Sequence, residues 1–91
     1  MKKERCEVHY SGCVQGVGFR YTVRRIAAGR DVAGFVRNRP DGTVQLVVEG
    51  PPEEIDRLLD EIQSTFGSYV RGKREQRSPA TGEFREFRIR Y

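Results

Sequence analysis

The chain has 91 residues, with 17 lysines and arginines against 13 aspartates and glutamates, and a formal net charge of +4. That length suits a single domain over residues 1–91, with a modest core between two layers. No apolar run approaches the roughly 18 residues of a membrane span, and no apolar stretch follows the charged start Met1-Lys2-Lys3-Glu4-Arg5, so a soluble, cytoplasmic protein without a signal peptide is expected.

In chain order, Glu7 to Cys13 alternates, with Val8, Tyr10 and Gly12 on one face and Glu7, His9 and Ser11 on the other. This is the pattern of a half-buried strand. On such a strand Cys6 and Cys13 are separated by roughly 23 Å. That is too far for a disulfide, and with His9 they make too small and too stretched a set for a metal. Val14-Gln15-Gly16-Val17-Gly18 is a glycine-bearing loop. From Phe19 to Ala28 the period changes: Phe19, Val23, Ile26 and Ala27 form one helical stripe, stopped by Gly29.

Ala33–Arg39 and Thr43–Glu49 read as a strand pair around the turn signal Pro40-Asp41-Gly42. Pro51-Pro52-Glu53-Glu54 opens a second helix, whose buried stripe is Ile55, Leu58, Leu59 and Ile62, with Phe66 as an extension. Tyr69 to Glu75 reads as a weak, basic edge strand. Ser78 to Gly82 reads as a loop, and Phe87, Ile89 and Tyr91 alternate in a last short strand. The order is that of an α+β, ferredoxin-like β-α-β-β-α-β sandwich, an antiparallel sheet with two helices on one face. Such a fold implies no function by itself.

The chemistry is concentrated where the first strand meets the first helix. A helix start has unpaired N–H groups and partial positive charge, and Ser, Thr, Asp or Asn normally cap it. Here stand Gly16, Val17, Gly18, Phe19 and Arg20. Nothing in that run can cap, and a cation sits at the wrong end of the dipole. Both features become favourable if an anion binds the N–H groups from Gln15 to Arg20 under the Arg20 guanidinium. A plain glycine loop beside a surface arginine would leave the same residues. A dinucleotide fingerprint lacks its third glycine, since Tyr21 stands there, and a P-loop lacks its Gly-Lys-Ser/Thr. Asn38 is a further oddity, because asparagine is depleted in strands. Either it begins the turn, or its amide faces the anion loop.

Gly12-Cys13-Val14-Gln15-Gly16-Val17-Gly18-Phe19-Arg20 resembles the phosphate loop of the acylphosphatase family, and Gly34-Phe35-Val36-Arg37-Asn38, with Gly42, Val44 and Gly50, resembles its second motif. The similarity extends to Thr81-Gly82-Glu83-Phe84. Cys13, where basic residues are common, and Asp31, before the second strand, depart from the pattern without touching either motif's functional position. The resemblance implies hydrolysis of acyl phosphates to a carboxylate and inorganic phosphate. It implies a phosphate site formed by Gln15, Gly16, Val17, Gly18, Phe19 and Arg20, with Arg20 holding the phosphoryl group and Asn38 orienting water. No metal and no cofactor are expected. The expected partners are a small acyl phosphate, with phosphate or sulfate as ligand, and the protein is expected to be a monomer without nucleic-acid or membrane partners.

Two other readings compete. Gly16-Val17-Gly18-Phe19 faintly echoes an RNA-binding motif, but that motif needs stacking aromatics on a central strand. Acylphosphatase-like domains also occur in larger carbamoyl-handling proteins as anion-binding modules; from the chain's own start and end a free enzyme is the expectation.

Overall fold

The computed structural model describes residues 2–91. The elements are β1 (Glu4–Gly12), α1 (Phe19–Ala28), β2 (Ala33–Asn38), β3 (Val44–Gly50), α2 (Pro52–Phe66), β4 (Val70–Pro79) and β5 (Phe87–Arg90). They form one sheet in the order β4-β1-β3-β2-β5. Cys6, Val8 and Tyr10 of β1, Val36 of β2, and Val44, Leu46 and Val48 of β3 face the helices. The helices answer with Phe19, Val23 and Ala27 from α1, and Ile55, Leu58, Leu59, Ile62 and Phe66 from α2. Spacings of three and four residues place these side chains on one side of each helix, so burying them against the sheet fixes both helices on the same face.

The expected α+β, ferredoxin-like plan is present, with one correction to the sheet. β1, β3, β2 and β4 pair antiparallel, but β5 runs parallel to β2, from Gly34↔Phe87 to Arg37↔Arg90. The sheet is therefore mixed. The cause is topological. β4 ends beside the start of β1, where Glu4 meets Pro79. The chain crosses that end of the sheet and must return in the direction of β2. β5 consequently finishes at the opposite end, where β1 and β2 also finish.

Other boundaries shift. β1 begins at Glu4 rather than Glu7, and Cys13 lies beyond it. Ser78 and Pro79, expected in a loop, close β4, which pairs with β1 along its length. Proline is tolerated there because β4 is an edge strand. Cys6 is buried and Cys13 exposed, and both thiols are free. No helix among the described residues is long and apolar enough to cross a membrane.

Candidate active site

The segment after β1 cannot continue as strand. Gly12 ends the β1–β4 ladder at an irregularity, and the Cys13 N–H donates to the Tyr69 carbonyl at 2.9 Å. The chain then turns through Gly16 and Gly18, at φ 82° and 76°. A side chain at either position would meet nothing within 4 Å. Glycine is required there by the left-handed backbone alone, and the space before the loop is open.

Gly18 is the N-cap of α1, with no side-chain cap and no acidic residue in the first turn. The Thr22 N–H bonds back to the Gly18 carbonyl at 3.1 Å. Among the described residues, the N–H groups of Gln15 to Tyr21 have no protein acceptor. Phe19 is buried against Tyr10 and Phe66, at ring-centroid distances of 5.2 and 4.6 Å. Each such aromatic contact is worth about 0.5–1.5 kcal/mol beyond the area it buries. The pair anchors the start of α1 in the core, so the loop is held by packing although its helix is uncapped.

Arg20, on the first turn of α1, makes no ion pair among the described residues. Its guanidinium carbon lies 5.0 Å from the centroid of the Tyr91 ring. The Tyr91 hydroxyl is 3.3 Å from that of Tyr21, a contact that pushes the Tyr91 phenol above its ordinary range. The sequence reading missed this pair. The alternation of Phe87, Ile89 and Tyr91 puts all three on one face, but only the parallel pairing of β5 with β2 carries Tyr91 to Arg20.

Asn38 closes β2 opposite Val44. Its Oδ1 is buried and accepts no hydrogen bond from the protein, a condition that costs about 1–3 kcal/mol when nothing compensates it. Asn38 shares a cleft of about 190 Å³ with Val14, Gly16, Gly18, Phe19, Arg20 and Tyr21. The structure thus brings together most of the residues singled out in sequence. The side chains of Gln15 and Val17 stay out of the cleft: the Gln15 amide turns to the β2–β3 turn, and Val17 points outward, 37% exposed. A hollow of about 420 Å³ beside Glu7, His9 and Arg74 is larger, yet it has neither a glycine loop nor a helix start. The cleft contains no carboxylate, histidine or cysteine, and no group of three or more metal-ligating side chains occurs among the described residues.

Free N–H groups, an unpaired guanidinium and a buried amide oxygen thus surround one opening of an α+β fold. The acylphosphatase family model matches residues 6–89. An acylphosphatase of Moorella thermoacetica is 41% identical over 91 residues, covering 100% of this chain and 84% of that one. Another, of Syntrophotalea carbinolica, is 37% identical over 92 residues, covering 100% of both. The crystal structure of acylphosphatase from Bacillus subtilis superimposes with a TM-score of 0.88 at 33% identity, covering 97% of this chain and 99% of that chain. The chain belongs to the acylphosphatase family. Its activity is hydrolysis of the carboxyl–phosphate anhydride of acyl phosphates, giving a carboxylate and inorganic phosphate.

Proposed function

We propose that residues 1–91 act as one domain in which the phosphoryl group of an acyl phosphate sits against the N–H groups of Gln15, Gly16, Val17, Gly18, Phe19 and Arg20, with the Arg20 guanidinium on its oxygens and Asn38 holding the attacking water. The observation that carries this reading is the shared cleft: the uncapped start of α1, an unpaired arginine and an unpartnered Asn38 Oδ1 face one opening. The transition state spreads charge over the three equatorial oxygens, and preorganised donors stabilise it without reorganising. Asn38 Oδ1 accepts a hydrogen bond from the water and so aims the water's lone pair along the breaking bond. The water oxygen bonds to phosphorus as the carboxylate leaves with the electrons of the P–O bond. The cleft lining offers no carboxylate or histidine, so the released proton passes to an oxygen of the phosphoryl group itself. A carboxylate is a good leaving group and needs no strong acid.

The same donor set supports metal-independent chemistry, with inorganic phosphate or sulfate as a ligand of the site. The two free thiols suit the reducing cytoplasm. The outward residues of strands β1 and β3 are Arg5, Glu7, His9, Ser11, Gln45, Val47 and Glu49. None is aromatic, which argues against a nucleic-acid partner. The test is hydrolysis of a simple acyl phosphate with EDTA present. Unchanged turnover in chelator and its collapse in Arg20→Ala support the reading. Loss on chelation, restored by zinc or magnesium, contradicts it.

A further inference from the structure

The Gln15 side chain lies outside the cleft and is exposed, yet it is held in one place. Its Nε2 donates to the Arg39 carbonyl at 2.9 Å and to the Thr43 carbonyl at 3.0 Å. These carbonyls flank the β2–β3 turn, and each already accepts one bond, from the Gly42 N–H and the Arg39 N–H respectively. A carboxamide has two N–H donors and a carbonyl oxygen has two lone pairs. Gln15 therefore fills the second acceptor position at both ends of the turn. Arg39 directly follows Asn38.

We propose that Gln15 is a positioning residue for the reaction, its amide fastening the phosphate loop to the β2–β3 turn and so fixing Asn38 relative to Arg20. On its other side the loop is moored by the Cys13 N–H on the Tyr69 carbonyl. Between Cys13 and α1, Val14, Gly16, Val17 and Gly18 have no polar side chain, so Gln15 is the sole residue able to tie the loop to the hairpin by a side-chain hydrogen bond. A surface glutamine gives up rotamer freedom to make such a tie, and the result is a set spacing between the groups facing phosphate and water. A displacement of about 1 Å in a reacting constellation can slow a reaction about a hundredfold.

The inference rests on Asn38 orienting water, and a double-mutant cycle separates the two ideas. Turnover and inhibition by inorganic phosphate are measured for Gln15→Ala, Asn38→Ala and the double variant, with Gln15→Glu as a same-shaped variant that lacks the donors. Circular dichroism confirms that each folds. In Gln15→Ala and Gln15→Glu, kcat should fall about 10- to 100-fold, while phosphate inhibition changes less than about threefold. Adding Gln15→Ala to Asn38→Ala should cost nothing more, because residues acting as a unit are non-additive. If the losses multiply, Gln15 does not act through Asn38, and the inference falls alone. Full turnover in both Gln15 variants overturns it as well. Wild-type turnover in Asn38→Ala overturns the reading of Asn38, and this inference with it.

Discussion

The Arg20 guanidinium carbon lies 5.0 Å from the centre of the Tyr91 ring, which joins the first turn of α1 to the residue that follows β5. An exposed cation–π contact contributes about 0.5–1 kcal/mol. Tyr91→Ala should therefore weaken inhibition by phosphate about two- to fivefold, through an Arg20 that is less well placed. Tyr91→Phe keeps the ring and loses only the Tyr21 contact, so its inhibition constant should stay within about twofold of wild type. Equal losses in both variants would assign the effect to the hydroxyls instead.

At the opposite end of the sheet, Glu49 fastens the crossing that leads into β5. Its carboxylate accepts from the Thr81 N–H at 2.9 Å, the Thr81 hydroxyl at 2.8 Å, the Gly82 N–H at 2.9 Å and Arg5 at 3.0 Å. Burial alone would raise its pKa, but these donors together hold it below the ordinary glutamate range. A carboxyl depressed in the folded state stabilises above its unfolded pKa of about 4.3, and that contribution disappears as pH falls through the folded value. Wild type should lose stability progressively below about pH 5. Glu49→Gln should start from a lower plateau and fall less steeply. Glu7, held down first by His9, and Glu54, held down first by the Asp31 N–H, leave some slope behind. Urea midpoints from pH 6 to pH 3 measure the difference, and identical slopes would contradict the assignment.

The two thiols should react unequally. Cys6 is fully buried, and burial, with Glu75 nearby, pushes its thiol up to about 11. Cys13 is exposed beyond the end of β1. A thiol reagent should titrate one cysteine in the native protein and both in denaturant, because the thiolate is the reactive form and must be reachable. Rapid native labelling of a Cys13→Ser variant would show that β1 opens far more readily than its pairing on both sides implies.

Most of this architecture is legible from short-range patterns. The stripes of Phe19, Val23 and Ala27, and of Ile55, Leu58, Leu59 and Ile62, mark two helices, and Pro40-Asp41-Gly42 marks the hairpin. The proposed anion loop shows itself as a rule broken in place, an uncapped helix start bearing Arg20. What escapes local reading depends on distant partners. β4 has almost no apolar alternation, and its ten residues are strand because β1 pairs with them. Likewise the run from Glu4 to Cys6 looks like a charged leader until Glu49 and Arg77 are seen to answer Arg5 and Glu4. The direction of β5 follows from the end of the sheet at which β4 stops, so neither the parallel pairing nor the contact of Tyr91 with Arg20 can be read from Phe87 to Tyr91. Gln15 is a similar case: its place in the loop is evident, but its side-chain partners lie 24 and 28 residues away.

The central claim is a division of labour, with Arg20 on the phosphate and Asn38 on the water. It is tested most directly by measuring kcat and inhibition by inorganic phosphate for Arg20→Gln and Asn38→Ala, side by side. Arg20→Gln should lose both phosphate affinity and turnover, the latter by about 10³-fold or more, as removal of an arginine clamp does. Asn38→Ala should keep phosphate affinity nearly intact while kcat falls about 10²–10³-fold, the scale of a single oxyanion-hole donor. If Asn38→Ala loses phosphate affinity as severely as Arg20→Gln, Asn38 is an anion ligand and the assignment of the water to it is wrong.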